Sequence, residues 1–155
     1  MSLEKEILLI LKESLKFNQS KSALGKKIKI PKGNLLEWDE VDQKFYTIIP
    51  NFKITSKLLI NIDEQKLKLI KNTKQFCEGL PANNVLLWGA RGTGKSSLIY
   101  CIFNELIKEY KVTMIEIKNF QIKSLNKILR IISNDKKKYI IFCDDIAFNL
   151  NDENF

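Results

Sequence analysis

One segment strongly restricts what this chain can fold into, the stretch GARGTGKSS at residues 89–97. It matches the pattern G-x-x-x-x-G-K-[ST] without interruption, and this pattern typically joins a buried strand to a helix. An apolar run, VLLW at residues 85–88, precedes it, and apolar residues recur at helical spacing after it. The sequence therefore predicts a buried strand at residues 85–88, a glycine loop and a helix.

The glycine loop has the composition of a phosphate-binding site. Glycines let backbone N–H groups approach anionic oxygens closely, and a helix N-terminus adds the positive end of its dipole. Lys95 provides a compact charge for the outer phosphates, and the Ser96 hydroxyl is a ligand suited to Mg²⁺. We expect a nucleoside triphosphate to be bound by Gly89, Ala90, Arg91, Gly92, Thr93, Gly94, Lys95, Ser96 and Ser97. The alternative is a glycine turn before a structural helix, with Lys95 an ordinary surface lysine.

A second motif lies about 50 residues downstream, where the apolar run YIIFC at residues 139–143 ends in two aspartates. Ligands of parallel sheets bind at the carboxyl ends of the strands, so a carboxylate there can meet the metal held by Ser96. Asp144 is the predicted metal residue. Asp145 is the predicted catalytic carboxylate that polarises the attacking water, together with Lys95 on the phosphates. Without the glycine loop, the same motif would mark only a strand entering a turn.

The remaining pattern predicts alternating strands and helices, and therefore an α/β fold with a parallel sheet. A helix begins with Asp63 as N-cap and stops at Gly79, a strand spans residues 112–117, and a helix spans residues 121–133. An amphipathic helix at residues 3–17, a polar linker and two short strands at 35–38 and 45–49 precede them. We divide the chain into an N-terminal extension, residues 1–50, and a core, residues 51–155.

From about Phe52 to Phe155, the sequence resembles a bacterial family of predicted AAA+-type ATPases of unassigned function. The most specific part is LPANNVLLWGARGTGKSSL, and segments around residues 61–66, 72–76 and 141–146 add to it. The resemblance implies a P-loop NTPase of AAA+-like fold, with a parallel sheet flanked by helices. It also implies ATP and Mg²⁺ as cofactors and a cytoplasmic location.

AAA+ modules place a further strand, with a polar sensor residue, between the two motif-bearing strands, and add an arginine finger and a helical lid. We find none of these in this chain, whose two arginines are Arg91 and Arg130. The core is therefore expected to be incomplete at its C-terminus, to bind Mg-ATP and to hydrolyse it weakly or not at all. The gap between the strands is expected to be closed by rearrangement, filled by a partner's strand, or left open in a marginally stable fragment.

Two other functions remain open. One is an ATPase completed in trans, by a second copy of the chain or a protein partner. The other is a nucleic-acid-binding module, since the net charge is +8 and the isoelectric point about 9.3. The lysines are spread along the chain as in a solvated surface, so nucleic acid is the less favoured partner. The sequence has no histidine and no apolar run near the roughly 20 residues of a membrane span, which excludes histidine-based triads and predicts no span.

Overall fold

The computed structural model describes residues 28–49 and 62–144. The predicted helix at residues 3–17 and most of the linker lie outside the described residues. A 3-10 helix, Asn119–Ser124, precedes the last helix of this part. The other elements, in chain order, are β1 Leu35–Asp39, β2 Lys44–Thr47, α1 Asp63–Glu78, α2 Lys95–Leu106, β3 Val112–Lys118, α3 Leu125–Ile132 and β4 Lys138–Asp144.

The four strands form one mixed sheet in the order β2-β1-β3-β4. β1 and β2 lie close to the two short strands predicted at residues 35–38 and 45–49, and they form an antiparallel hairpin with Trp38 opposite Phe45. β1 pairs parallel with β3, and β3 pairs parallel with β4 over seven register positions from Val112↔Lys138 to Lys118↔Asp144. The hairpin from the predicted N-terminal extension therefore shares a sheet with the strands of the predicted core.

Helices cover both faces of this sheet, so the predicted α/β arrangement of a sheet flanked by helices is confirmed at that level. On one face, α2 supplies Phe103 and α1 supplies Cys77 to a cluster with residues of three strands: Leu35, Val112, Met114 and Phe142. On the other face, Ile128 of α3 is fully buried against Trp38 and Ile115. Apolar residues on both faces of β1 and β3 explain why these two strands occupy the centre of the sheet.

The predicted buried strand at residues 85–88 is wrong. No strand is assigned there, and Val85, Leu86 and Trp88 are 49%, 54% and 87% exposed. Only Leu87 packs, against the α2 residues Leu98, Ile102 and Leu106. An apolar run becomes a strand only if a neighbour accepts its backbone hydrogen bonds, and none of the described strands lies beside this one. Within the described residues the sheet is continuous and β4 is an edge strand, so the expected gap between two motif-bearing strands is not observed.

Two helix boundaries also differ from the predictions. The N-cap of α1 is Ile62, without a side-chain hydrogen bond, and Asp63 is the first helical residue. The helix predicted at residues 121–133 is divided into the 3-10 helix and the shorter α3, because the Gln121 side chain bonds backbone groups instead of facing the helix surface. The stop at Gly79 is confirmed, with this residue in the left-handed conformation at φ 84°. Among the helices of the described residues, none has the length and apolar character needed to cross a bilayer.

Candidate functional site

The glycine loop turns back on itself before α2 begins. Gly92 and Gly94 both adopt φ 82°, in the left-handed region that side chains disfavour. A Cβ placed on Gly92 would meet no atom within 4 Å, so its conformation, and not crowding within the protein, is what favours glycine there. The open space beside Gly92 leaves the loop backbone accessible from solvent.

Lys95 holds the loop closed. Its Nζ donates to the carbonyl oxygens of Gly89 at 3.0 Å and Ala90 at 2.7 Å, and lies 3.5 Å from Thr93 Oγ1. Thr93 Oγ1 donates to the Ala90 carbonyl at 2.9 Å. Three of the six loop residues 89–94 therefore contact a single ammonium group.

The start of α2 lies at this loop. The first helical hydrogen bond runs from Leu98 N to Gly94 O at 2.8 Å, and no side chain of the described residues caps the helix. The first-turn N–H groups therefore lack a side-chain acceptor, which is the arrangement that binds anions at helix N-termini. Of the other predicted loop residues, Arg91 is exposed and Ser97 is half-buried on the first turn.

The two sequence motifs meet in space. Ser96 Oγ donates to Asp144 Oδ1 at 2.7 Å, although the residues are 48 positions apart. Asp144 is the last residue of β4, so the carboxyl end of this strand lies against the start of α2. A hydroxyl and a carboxylate oxygen are hard ligands of the type that Mg²⁺ prefers. Asp145 lies outside the described residues, so its catalytic role stays a prediction.

The described residues contain no group of three or more His, Cys, Asp or Glu side chains able to hold a metal. Mg²⁺ usually binds through one or two protein oxygens together with substrate phosphates and does not need such a group. The residues present fit such a shared site and do not fit an all-protein metal cage.

A polar group beside Asp144 was not predicted from the sequence. Tyr100 of α2 hydrogen-bonds Glu116 of β3, and Lys118 Nζ lies 2.8 Å from Glu37 Oε1 of β1. Burial, then the bond to Glu116 and the charges of Glu116, Asp144 and Glu37, raises the pKa of Tyr100. The available signal was Glu116, a charge flanked by isoleucines within the mostly apolar strand VTMIEIK.

Cys143 precedes Asp144 on β4 and is half-buried. Burial, and to a lesser extent the charge of Asp144, raises the pKa of its thiol to about 11. Cys77 and Cys101 are buried, and burial raises the pKa of both thiols. All three cysteines are therefore protonated at neutral pH.

A family model described as "Protein of unknown function (DUF815)" matches residues 32–155, which includes the hairpin, the glycine loop and β4. No curated protein and no solved structure matches the chain significantly.

Proposed function

The chain belongs to the family of proteins of unknown function DUF815, and from the geometry of its glycine loop we propose that it is an AAA+-like P-loop core that binds Mg-ATP. The observation that carries the proposal is the meeting of two motifs: Ser96 Oγ lies 2.7 Å from Asp144 Oδ1, next to the loop closed by Lys95. A structural turn before a helix would not require this contact. The parallel pairing of β3 with β4 supports the same fold type.

Lys95 is placed to exchange one set of acceptors for another. Its ammonium bonds two neutral carbonyl oxygens, and an anionic phosphate oxygen is a stronger acceptor than either. Arrival of a triphosphate would therefore release the carbonyls and keep the ammonium fully bonded. The first-turn N–H groups of α2 add donors on the same side.

Ser96 and Asp144 would hold Mg²⁺, the serine directly and the aspartate from the end of β4. When bound there, Mg²⁺ would supply positive charge that neutralises the nucleotide phosphates. The hydrogen bond between the two side chains keeps both oxygens together before any ligand binds, which reduces the ordering cost of the site.

Hydrolysis is proposed to be weak. An arginine finger increases the hydrolysis rate about 10³–10⁵-fold in related reactions. Neither arginine of this sequence is expected to act as one, because Arg91 lies in the exposed loop and Arg130 lies on α3. The resemblance places glutamate where this chain has Asp145, and a misplacement of about 1 Å costs about a hundredfold. Phosphate release that is robust in the wild type and lost in Lys95→Ala would overturn this part of the proposal.

Calorimetric titration with Mg-ATP and Mg-GTP tests nucleotide binding. We expect a micromolar to sub-millimolar Kd for Mg-ATP and weaker binding of Mg-GTP. Lys95→Ala should weaken Mg-ATP binding about 10- to 100-fold, since a hydrogen bond to a charged group contributes about 1.5–3 kcal/mol. The matched control is Lys111→Ala, an exposed lysine between α2 and β3. Equal affinities for both variants and the wild type would overturn the proposal.

One observation favours a second candidate, an ATPase completed in trans. α2 contacts both β4, through Tyr100 on Phe142, and the segment at residues 85–88, through Leu87. That segment and the outer edge of β4 both lack a strand partner within the described residues. A strand donated by another chain would satisfy the backbone groups of both and cover the exposed apolar side chains.

The dependence of ATPase rate on protein concentration separates the two candidates. Completion in trans predicts a rate per molecule that rises with concentration, and Leu86→Lys should abolish this rise by placing a charge on the exposed segment. Val41→Lys is the control, because Val41 is 91% exposed in the hairpin turn. A rate strictly proportional to concentration would contradict assembly.

A further inference from the structure

Two residues one turn apart on α2 contact two neighbouring strands. Ser96 and Tyr100 are separated by four positions and therefore lie on the same face of the helix. Ser96 bonds Asp144 at the end of β4, and Tyr100 bonds Glu116 in β3. The Tyr100 ring also meets Phe142 edge-on, with ring centroids 5.4 Å apart.

The register of the sheet places these partners on one face. Glu116 is opposite Phe142, and Lys118 is opposite Asp144, in the parallel pairing of β3 with β4. Because alternate residues of a strand share a face, Glu116, Phe142 and Asp144 all lie on the face that α2 covers. Two contacts to adjacent strands fix both the position of the helix along the sheet and its rotation about its own axis.

The chemistry of the second contact suits a permanent anchor. Glu116 is opposite Glu37 of β1, whose charge is balanced by Lys118 at 2.8 Å. Burial, the bond to Glu116 and the charges of Glu116, Asp144 and Glu37 raise the pKa of Tyr100, so its hydroxyl stays protonated at neutral pH and remains a donor. A neutral phenol that donates to a carboxylate holds its geometry over the whole physiological pH range.

We propose that Tyr100 and Glu116 are positioning residues for the magnesium ligands: by fixing α2 on β3, they hold Ser96 Oγ beside Asp144. This inference rests on the proposed function. In this proposal neither residue contacts the metal or the nucleotide. Their loss should therefore weaken the contribution of Mg²⁺ to ATP affinity and leave magnesium-free ATP binding unchanged.

Tyr100→Phe is the informative variant, because it keeps the ring contact with Phe142 and removes only the hydroxyl. Glu116→Gln removes the charge and keeps the shape. The matched control is Tyr110→Phe, since Tyr110 also donates to a glutamate, Glu78 at 2.8 Å, but beyond the far end of α2. ATP affinity is measured by calorimetry in EDTA and across a Mg²⁺ titration, with circular dichroism confirming that each variant is folded.

For Tyr100→Phe and Glu116→Gln we expect about a tenfold rise in the Mg²⁺ concentration that gives half of the gain in ATP affinity. This is the lower end of the loss of metal affinity found when residues that support metal ligands are removed. Affinity in EDTA should stay within about twofold of the wild type, and Tyr110→Phe should match the wild type in both conditions. An unchanged Mg²⁺ requirement, or an equal loss with and without Mg²⁺, overturns this inference and leaves the proposed function standing. Failure of the wild type to bind Mg-ATP overturns both.

Discussion

The two tryptophans of this protein differ greatly in burial, and replacing each by alanine tests the most unexpected part of the fold. Trp38 is 0% exposed on β1, and Trp88 is 87% exposed before the glycine loop. If residues 85–88 formed a buried strand, both substitutions would remove a core side chain. In the structure, only Trp38→Ala does so.

The expected magnitudes follow from the buried areas. A fully buried aromatic side chain removes about 150–250 Å² from water, which at about 25 cal/mol per Å² gives roughly 4–6 kcal/mol as an upper estimate. Measured Trp→Ala losses of about 3–5 kcal/mol agree with this range. Trp38 also donates to Glu40 at 3.1 Å and meets the Phe45 ring at 5.0 Å. Trp88 buries on the order of 30 Å², and its loss should cost less than about 1 kcal/mol.

Urea unfolding followed by far-UV circular dichroism measures both losses without relying on tryptophan fluorescence. The experiment is run at several protein concentrations, and Val41→Ala serves as the exposed control. A loss of 3 kcal/mol or more for Trp88→Ala would refute the reasoning, since it would mean that residues 85–88 are buried in solution. If this loss appeared only at high protein concentration, the burial would come from association between chains.

Four further outcomes are expected. Gly79→Ala should destabilise the protein by about 1–2 kcal/mol in urea unfolding, because this residue ends α1 at φ 84° and a Cβ is strained there. Gln121→Ala should lower the free energy of unfolding by about 2–3 kcal/mol. Gln121 is 4% exposed, and its amide donates to the Trp38 carbonyl at 2.7 Å and accepts from the Lys118 N–H at 2.8 Å. As a control, replacing the exposed Asn134 by alanine should change stability by less than about 0.5 kcal/mol. Alkylation of Cys143 at pH 8, followed by peptide mass analysis, should be about a hundredfold slower than for a thiol of pKa 9.0 and should accelerate up to about pH 11; a plateau below pH 9 would contradict the burial. The same raised pKa favours the folded state fully below pH 9, and this contribution is lost as the pH rises through about 11.

The sequence predicted those features whose cause is local. The glycine loop, the helix after it, the stop at Gly79 and the strand before Asp144 each depend on residues within a few positions. The contact of Ser96 with Asp144 was expected because both motifs point to the same edge of a parallel sheet. Residues 85–88 were misread because burial of an apolar run depends on a neighbouring strand, which the run itself does not encode.

The polar anchor of α2 was missed for a related reason. Tyr100 reads as one more apolar residue on a helix face, and Glu116 as a solvent-facing charge in an alternating strand. Their contact follows from the register of β3 with β4, which sets which charge lies beneath the helix. Only the three-dimensional arrangement connects a phenol at position 100 with a carboxylate at position 116.

The place of β1 at the centre of the sheet has a consequence for biosynthesis. The hairpin is synthesised before β3. Leu36 therefore cannot pair with Ile115, its neighbour on β3, until residue 115 has been added. At about 5–20 residues per second, that delay is roughly 4–16 seconds. During this interval α3 and β3 do not yet cover the Trp38 indole, so the nascent hairpin exposes apolar surface. Molecular chaperones that bind exposed apolar strands should bind this nascent chain early. They should release it once β3 has been synthesised.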